Sequence, residues 1–347
     1  MRPVPPPSLF SRKLQRIHCI GVGGMGLGPL AVYLSQLGFS VSGEDDALTE
    51  PMRSLLTRER VTVMPAEKLS EDCELIVYSS AIGPSHPARL AAVARGLPLV
   101  RRGELLAEVL CDKKLVAVCG SHGKTTTTAM LITALRRAGF PAGWVLGGLF
   151  ADDAMPPARA GSSDWVVAEI DESDGTIAAF SPELTLATNL DWDHPDHYHQ
   201  VEDLTAAFAS LFIRTRAGVL TFDACALSQR LVAELRQGGE THPKFFTFGR
   251  SGDFSSEIAG EPNGHLQLRL GGRFTISEAS VRAKGEFNAV NATAALAAAQ
   301  LMGAELAPRL LADYAGVSRR QSVLHEAPGL LVIEDYAHHP AEIRALL

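Results

Sequence analysis

Leu115-Val116-Ala117-Val118-Cys119 runs straight into Gly120-Ser121-His122-Gly123-Lys124-Thr125-Thr126, and this stretch decides the fold class. Five apolar residues in a row read as a buried strand, and the residues from Lys124 to Ala138 read as a helix. The glycine loop between them departs from the pattern G-x-x-x-x-G-K-[ST], because Val118 stands where the first glycine would fall. Its Gly-Lys-Thr kernel still sits at a strand-to-helix turn. There backbone N–H groups can cradle phosphates, Lys124 can neutralise oxygens and Thr125 can hold Mg²⁺. The plainer alternative is an ordinary strand–helix connection.

Upstream lies a second glycine loop, Gly21-Val22-Gly23-Gly24-Met25-Gly26, between a strand at Ile17–Val22 and a helix at Gly26–Leu37. Such glycines let a pyrophosphate approach backbone N–H groups at a helix N-terminus. Glu44, Asp45 and Asp46 follow about 20 positions later, where a ribose-binding carboxylate falls. Alone, this half reads as a nicotinamide-nucleotide domain, or as a tight turn required only by packing. Further strands are expected at Ser40–Gly43, Glu74–Tyr78 and Leu97–Val100, with helices at Pro87–Ala94 and Glu104–Leu110. Alternating strands and helices predict a Rossmann-like parallel sheet over 1–112.

Downstream, residues 113–313 read as a second α/β unit of the P-loop ATPase type. The strand Trp165–Ala168 leads into Glu169-Ile170-Asp171-Glu172-Ser173-Asp174-Gly175. Carboxylates at the C-terminal end of such a strand face the ligand crevice, where a Walker-B-like acid meets magnesium; the alternative is a solvated acidic turn. Asn189-Leu190-Asp191-Trp192-Asp193-His194-Pro195-Asp196-His197-Tyr198-His199 is dense enough in acids and imidazoles for zinc to be weighed. Carboxylates with few nitrogen ligands favour magnesium and phosphate, and most of these groups read as solvated caps before the helix at Val201. From Phe245 to Ser277 the pattern suggests antiparallel strands, and Asn288–Met302 is an Ala-rich helix. A third unit begins over 314–347, with a strand at Leu330–Glu334 and a helix from Pro340.

Composition narrows the class. The chain has 347 residues, 46% hydrophobic and 20% charged, which suits a multi-domain globular protein. A net charge of −7 argues against a nucleic-acid surface. No apolar run approaches the roughly 20 residues of a membrane helix, so no membrane insertion is expected. The proline-rich start, Met1–Pro7, reads as a short disordered tail and lacks the apolar core of a signal peptide. Five cysteines without a Cys-x-x-Cys pair suggest neither a disulfide framework nor a zinc ribbon, and point to a reducing cytoplasm.

Taken together, the motifs resemble the Mur ligases. Gly-Ser-His-Gly-Lys-Thr-Thr-Thr-Thr at 120–128, Glu-Ile-Asp-Glu-Ser-Asp-Gly at 169–175 and Thr-Asn-Leu-Asp-Trp-Asp-His at 188–194 occur in the family's order. Further matches are Gly21–Gly26, Ser42-Gly43-Glu44-Asp45, Ser79-Ser80-Ala81-Ile82, Arg101-Arg102-Gly103-Glu104 and Asp335-Tyr336-Ala337-His338-His339-Pro340. The resemblance runs from Ile17 to the last residue.

The resemblance implies an ATP-dependent ligase that adds L-alanine to UDP-N-acetylmuramate through an acyl phosphate, in peptidoglycan precursor synthesis. It implies that Gly21, Gly23, Gly24, Gly26, Asp45, Ser79, Ser80 and Arg102 bind the UDP substrate. Gly120, Ser121, His122, Gly123, Lys124, Thr125 and Thr126 would bind ATP, with Asn288 and Asn291 reading adenine. Phe287 stands where the family usually carries His. Thr125, Glu169 and His194 would serve the Mg²⁺ site, with Lys124, Glu169 and His194 as the catalytic set, and Tyr336 and His338 would meet the amino acid. The family's third domain normally continues well past one strand and helix. A longer parent chain is therefore expected, together with a poorly packed tail and no ligation by these residues alone. Lys124, as a residue of a solvent-facing loop, is expected to be dispensable for folding. The competing readings are a ligase that recycles a whole tripeptide onto the same substrate, an NAD(P)-dependent oxidoreductase, and a non-catalytic nucleotide or UDP-muramate sensor.

Overall fold

The computed structural model describes residues 8–192, 197–239, 242–327 and 329–346. The first unit is built from β1 (Arg16–Ile20), α1 (Leu27–Gln36), β2 (Ser40–Glu44), α2 (Glu50–Arg58), β3 (Thr62–Val63), β4 (Leu75–Tyr78), α3 (Pro87–Ala94), β5 (Leu99–Arg101) and α4 (Arg102–Val109). Its strands pair in parallel in the order β3-β2-β1-β4-β5. Ile17, Cys19 and Ile20 of β1 are fully buried, as an apolar strand at the centre of a two-faced parallel sheet must be. Chain order reverses on either side of β1, so a crevice opens beyond the carboxyl ends of β1 and β4. Gly21–Gly26 and Ser79–Ser80 leave the sheet at those two ends.

The second unit comprises β6 (Lys114–Cys119), α5 (Lys124–Arg137), β7 (Gly143–Val145), β8 (Ala158–Arg159), β9 (Trp165–Glu169), β10 (Leu184–Ala187), α6 (Val201–Arg214), β11 (Gly218–Phe222), α7 (Ala226–Gln237), β12 (Lys244–Gly249), β13 (Phe254–Gly260), β14 (Leu266–Gly272), β15 (Glu278–Val281) and α8 (Glu286–Leu301). They make one sheet in the order β15-β14-β13-β12-β11-β10-β6-β9-β7-β8. β6 lies between β10 and β9, all parallel, so the loops after these three strands converge at one edge. The antiparallel reading of 245–277 holds only in part. β12 pairs in parallel with both β11 and β13, and the antiparallel ladder begins with β13–β14.

Helix α8 shows how composition sets packing. Ala292, Ala294, Ala295 and Ala297–Ala299 are all fully buried, because small side chains let α8 lie close on α5 and β13. Tyr314 and Val317 join that same core. The apolar core is also continuous between the two units, running from Leu30 and Leu34 of α1 to Ala158 of β8. Ala160 N donates to Gln36 Oε1 across this seam at 2.9 Å.

The strand expected at 330–334 is not alone. β16 (Ser322–Ala327) pairs antiparallel with β17 (Leu330–Glu334), and α9 (Pro340–Leu346) follows. Val323, Leu324, Leu330, Leu331, Val332 and Ile333 of this ribbon are exposed. Among the described residues no helix is long and apolar enough to cross a membrane.

Candidate functional site at the junction of two glycine loops

The P-loop is shaped by glycine at two positions. Gly120 has φ +117° and Gly123 has φ +79°, both in the left-handed region that a side chain resists. A Cβ at Gly120 would lie 2.5 Å from Asn189 O, and one at Gly123 would lie 2.8 Å from Asn291 Oδ1. Gly123 leads into α5, whose first turn has no side-chain cap and so presents donors to an anion. The loop after β10 fixes the rest. Ser121 N donates to Asn189 O at 3.1 Å, His122 N donates to Asn189 Oδ1 at 2.9 Å, and Thr188 Oγ1 donates to His122 O at 2.6 Å.

Lys124 is not solvent-facing, which corrects the expectation from sequence. Its Nζ donates to Gly120 O at 2.7 Å and to Glu172 Oε1 at 3.0 Å. Glu172 is 1% exposed. Burial alone would lower the Lys124 pKa, but Glu172, Asp171 and Glu169 outweigh it and hold the ammonium charged well above its ordinary range. Tyr198 OH donates to the backbone oxygen of Glu172 at 2.8 Å, which fixes the turn that carries this acid.

Thr125 Oγ1 donates to Glu169 Oε1 at 3.0 Å, and Gly147 N donates to Glu169 Oε2 at 3.1 Å. Burial pushes the Glu169 carboxyl up, against the pull of Lys124 and Thr125. A buried carboxylate beside a threonine hydroxyl is an all-oxygen donor pair of the kind Mg²⁺ takes, and a cation there would offset the cost of burying the charge. Thr125 and Glu169 therefore fit that ion. His194, the third residue expected here, lies outside the described residues, as do Asp193 and Asp196.

The first glycine loop faces the same place. Gly24, Met25, Gly26, Leu27, Ser79, Ser80 and Arg102 line a cleft of about 200 Å³ whose other wall is Gly147, Glu169 and Asp171. Arg102 Nη2 lies 3.6 Å from Asp171 Oδ2 across it. The neighbouring Arg101 caps α4 through Glu104, which accepts its backbone N–H at 2.8 Å, and also reaches Asp174 O at 2.7 Å. Asp45 turns inward, accepting Gly23 N at 2.8 Å and Ala47 N at 2.9 Å, so here it shapes the glycine loop.

The remaining expected residues divide into two groups. Asn291 Oδ1 accepts from Thr127 Oγ1 at 3.2 Å, and Asn288 Nδ2 donates to Lys284 O and Gln321 Oε1, so this pair borders the P-loop. Tyr336 and His338 sit apart, on the link between β17 and α9, with their rings 5.3 Å from each other. Of the dense stretch 189–199, Asn189, Asp191 and Tyr198 are engaged in the site, and the cap of α6 is Gln200 with Asp203. Sequence reasoning missed Glu172, Asn189 and Gly147 as parts of the site. Glu172 belongs to the acidic cluster that follows β9, but nothing in that cluster marks which acid turns inward.

Two α/β units with a Gly-Lys-Thr loop on one and a second glycine loop on the other, facing a shared cleft, have the architecture of a nucleotide-binding class, and comparison with known proteins gives the family. The family descriptions "Mur ligase family, catalytic domain" and "Mur ligase middle domain" match residues 16–114 and 118–299. This chain belongs to the Mur ligase family. It is 34% identical to the UDP-N-acetylmuramate–L-alanine ligase of Carboxydothermus hydrogenoformans, over 97% of this chain and 73% of that protein. Identity to the enzyme of that name from Myxococcus xanthus is 36%, over 99% of this chain and 73% of that one. The crystal structure of the UDP-N-acetylmuramate–alanine ligase of Thermotoga maritima superposes with TM-score 0.81 at 28% identity, over 95% of this chain and 76% of that one.

Proposed function

We propose that this chain carries the substrate and ATP sites of a ligase joining L-alanine to the muramoyl carboxylate of UDP-N-acetylmuramate, in peptidoglycan precursor synthesis in the cytoplasm. The observation that carries this reading is the shared cleft. Gly24, Gly26, Ser79, Ser80 and Arg102 of one unit face Glu169 and Asp171 of the other across it. A substrate held by its UDP part on residues 1–112 would thus direct its sugar acid towards the ATP bound on residues 113–313.

The chemistry follows from what each group can do. A carboxylate is a poor acyl electrophile, so its oxygen first attacks the γ-phosphorus of ATP and ADP leaves. The alanine nitrogen, having lost its extra proton, then attacks the acyl carbon, and inorganic phosphate departs with the bond it breaks. Lys124, already held charged, would swing from Glu172 to the β- and γ-oxygens as negative charge moves between them. The free N–H groups at the start of α5 would hold the same phosphates, and Asn288 and Asn291 would meet the base. Thr125 and Glu169, with His194, would hold Mg²⁺, which when bound supplies charge neutralisation at the phosphates. Arg102, 3.6 Å from Asp171, would bind the UDP-linked acid. Tyr336 and His338, on 314–347, would meet the alanine.

The whole-tripeptide recycling ligase is the second reading; Asp171-Glu172-Ser173-Asp174-Gly175 favours the alanine enzyme. Calorimetry with UDP-N-acetylmuramate, ATP and NADH tests the partition, on wild type and on Gly23→Asp. A Cβ at Gly23 would lie 2.8 Å from the Asp45 carboxylate, so that variant closes the first loop and leaves the second intact. We expect it to lose the UDP substrate and keep ATP. Tight NADH binding abolished by Gly23→Asp would instead make the first unit a nicotinamide domain.

A further inference from the structure

We propose that His122, Asp191 and His339 form a site for a divalent transition metal of the zinc class, tying the P-loop to the chain's last helix. The proposal stands apart from the ligase reading and from the oxygen pair Thr125–Glu169.

Three separate elements bring the ligands together: the P-loop, the loop after β10, and the residue before α9. One ligand atom from each lies within 4.8 Å of the others. His122 Nε2 is 3.4 Å from Asp191 Oδ2, and His339 Nδ1 is 3.9 Å from the same oxygen. Ligands about 2.0–2.2 Å from a tetrahedral zinc ion are themselves about 3.3–3.6 Å apart. The first spacing already suits an ion, and the second needs a shift of a few tenths of an ångström.

One tautomer of His122 suits coordination. Its Nδ1 lies 3.2 Å from Glu342 Oε1, and with the ring proton on Nδ1 donated to that carboxylate, the Nε2 lone pair faces Asp191. Glu342 is itself held, because its Oε2 accepts the backbone N–H groups of His338 and His339 at 3.1 and 3.4 Å. A carboxylate behind a histidine is the arrangement that orients metal-bound imidazoles. The donor set decides the metal class. Two imidazole nitrogens out of three ligands suit zinc, cobalt or nickel, whereas magnesium and calcium take oxygen. A second explanation needs no ion: protonated His122 sits between Asp191 and Glu342 as a plain charge contact.

Cobalt separates these. The metal-stripped chain, held in excess Mg²⁺ to occupy oxygen sites, is titrated with Co²⁺ while visible absorption is recorded. We expect one equivalent to bind with the intense bands of four- or five-coordinate cobalt, and Zn²⁺ to bleach them. His339→Ala and Asp191→Asn should each abolish the bands. Glu342→Gln should weaken binding about 10- to 100-fold, the usual effect of removing an outer carboxylate. His338→Ala and Glu169→Gln, whatever they do to turnover, should leave the cobalt bands in place. Circular dichroism of each variant confirms that it folds, and the three site variants serve as independent tests. Absence of the bands in the wild type at micromolar cobalt overturns the proposal. So does binding that follows His338 rather than His339, or that ignores all three site variants.

Discussion

Lys124 Nζ lies 3.0 Å from Glu172 Oε1, with 15% of the lysine side chain and 1% of the glutamate exposed. The lysine expected to serve ATP is therefore also paired with a buried acid, whose Oε2 has no hydrogen-bond partner among the described residues. Lys124→Ala should cost twice. Phosphoryl transfer should fall by orders of magnitude, and removing one partner of a buried pair should cost about 3–5 kcal/mol of stability. The double variant Lys124→Ala/Glu172→Gln should recover most of the stability and none of the activity. Denaturant midpoints and ADP release measure the two effects separately. A single variant that melts like wild type would mean that Glu172 does not need the lysine.

Glu169→Gln tests the oxygen site. The amide keeps the size of the side chain and can still meet Thr125 Oγ1, now 3.0 Å from Glu169 Oε1, but it removes the charge. ATP turnover should drop by about 10²-fold or more, the scale seen when one charge-stabilising group is lost. The Mg²⁺ concentration at half activity should rise, while affinity for UDP-N-acetylmuramate stays within about twofold, a shift worth well under 1 kcal/mol. Unchanged Mg²⁺ dependence would move the ion elsewhere.

The strands that place the site were legible because they are buried on both faces and therefore read as apolar runs, as in Leu115–Cys119 and Leu75–Tyr78. Two-residue strands such as Thr62–Val63 leave no such run to read. β16 was hidden for another reason: Val323, Leu324 and their partners on β17 are exposed, so no in-and-out alternation marks the pairing. The glycines and Lys124 were visible as a motif. What the motif could not tell was which way Lys124 points, since that depends on Glu172 brought in by the loop after β9. The support given by Asn189 and Gly147 is likewise tertiary, arising where β10 and β7 end beside the P-loop.

Gly103 reports on how the two units are held. A Cβ there would fall 1.9 Å from Thr176 Oγ1 and 2.5 Å from Thr176 Cβ, closer than any real contact. Gly103→Ala should push α4 away from the second unit and displace Arg102 from Asp171. Turnover should fall about 10- to 100-fold, because a misplacement of about 1 Å is enough to do so. ATP affinity should be unchanged. Adding Thr176→Gly should restore part of the loss, and steady-state kinetics of the single and double variants read it. A Gly103→Ala enzyme with full activity would show that the contact plays no part in aligning the substrates.

Buried histidine gives the last prediction, a pH dependence of folding. His18 lies on the central strand β1, fully buried, with Nδ1 2.9 Å from Ser42 Oγ and Nε2 unpartnered among the described residues. Burial, aided by the charge of Arg95 and opposed by a backbone contact at Lys68, lowers its pKa from 6.5 to about 4. A folded value below the unfolded one means that the folded chain prefers neutral imidazole. The stabilisation is therefore complete above pH 6.5 and is lost as pH falls from 6.5 towards 4. A shift of this size corresponds to about 3 kcal/mol, at about 1.4 kcal/mol per pH unit. His18→Asn retains a polar partner for Ser42 and cannot titrate. Carboxylates protonate in both proteins, so the informative quantity is the difference between their unfolding free energies. We expect the wild type to lose about 3 kcal/mol more than His18→Asn between pH 7 and pH 4, in urea titrations followed by circular dichroism. Parallel stability curves over that range would show that His18 titrates normally, and hence that the sheet opens to water at β1.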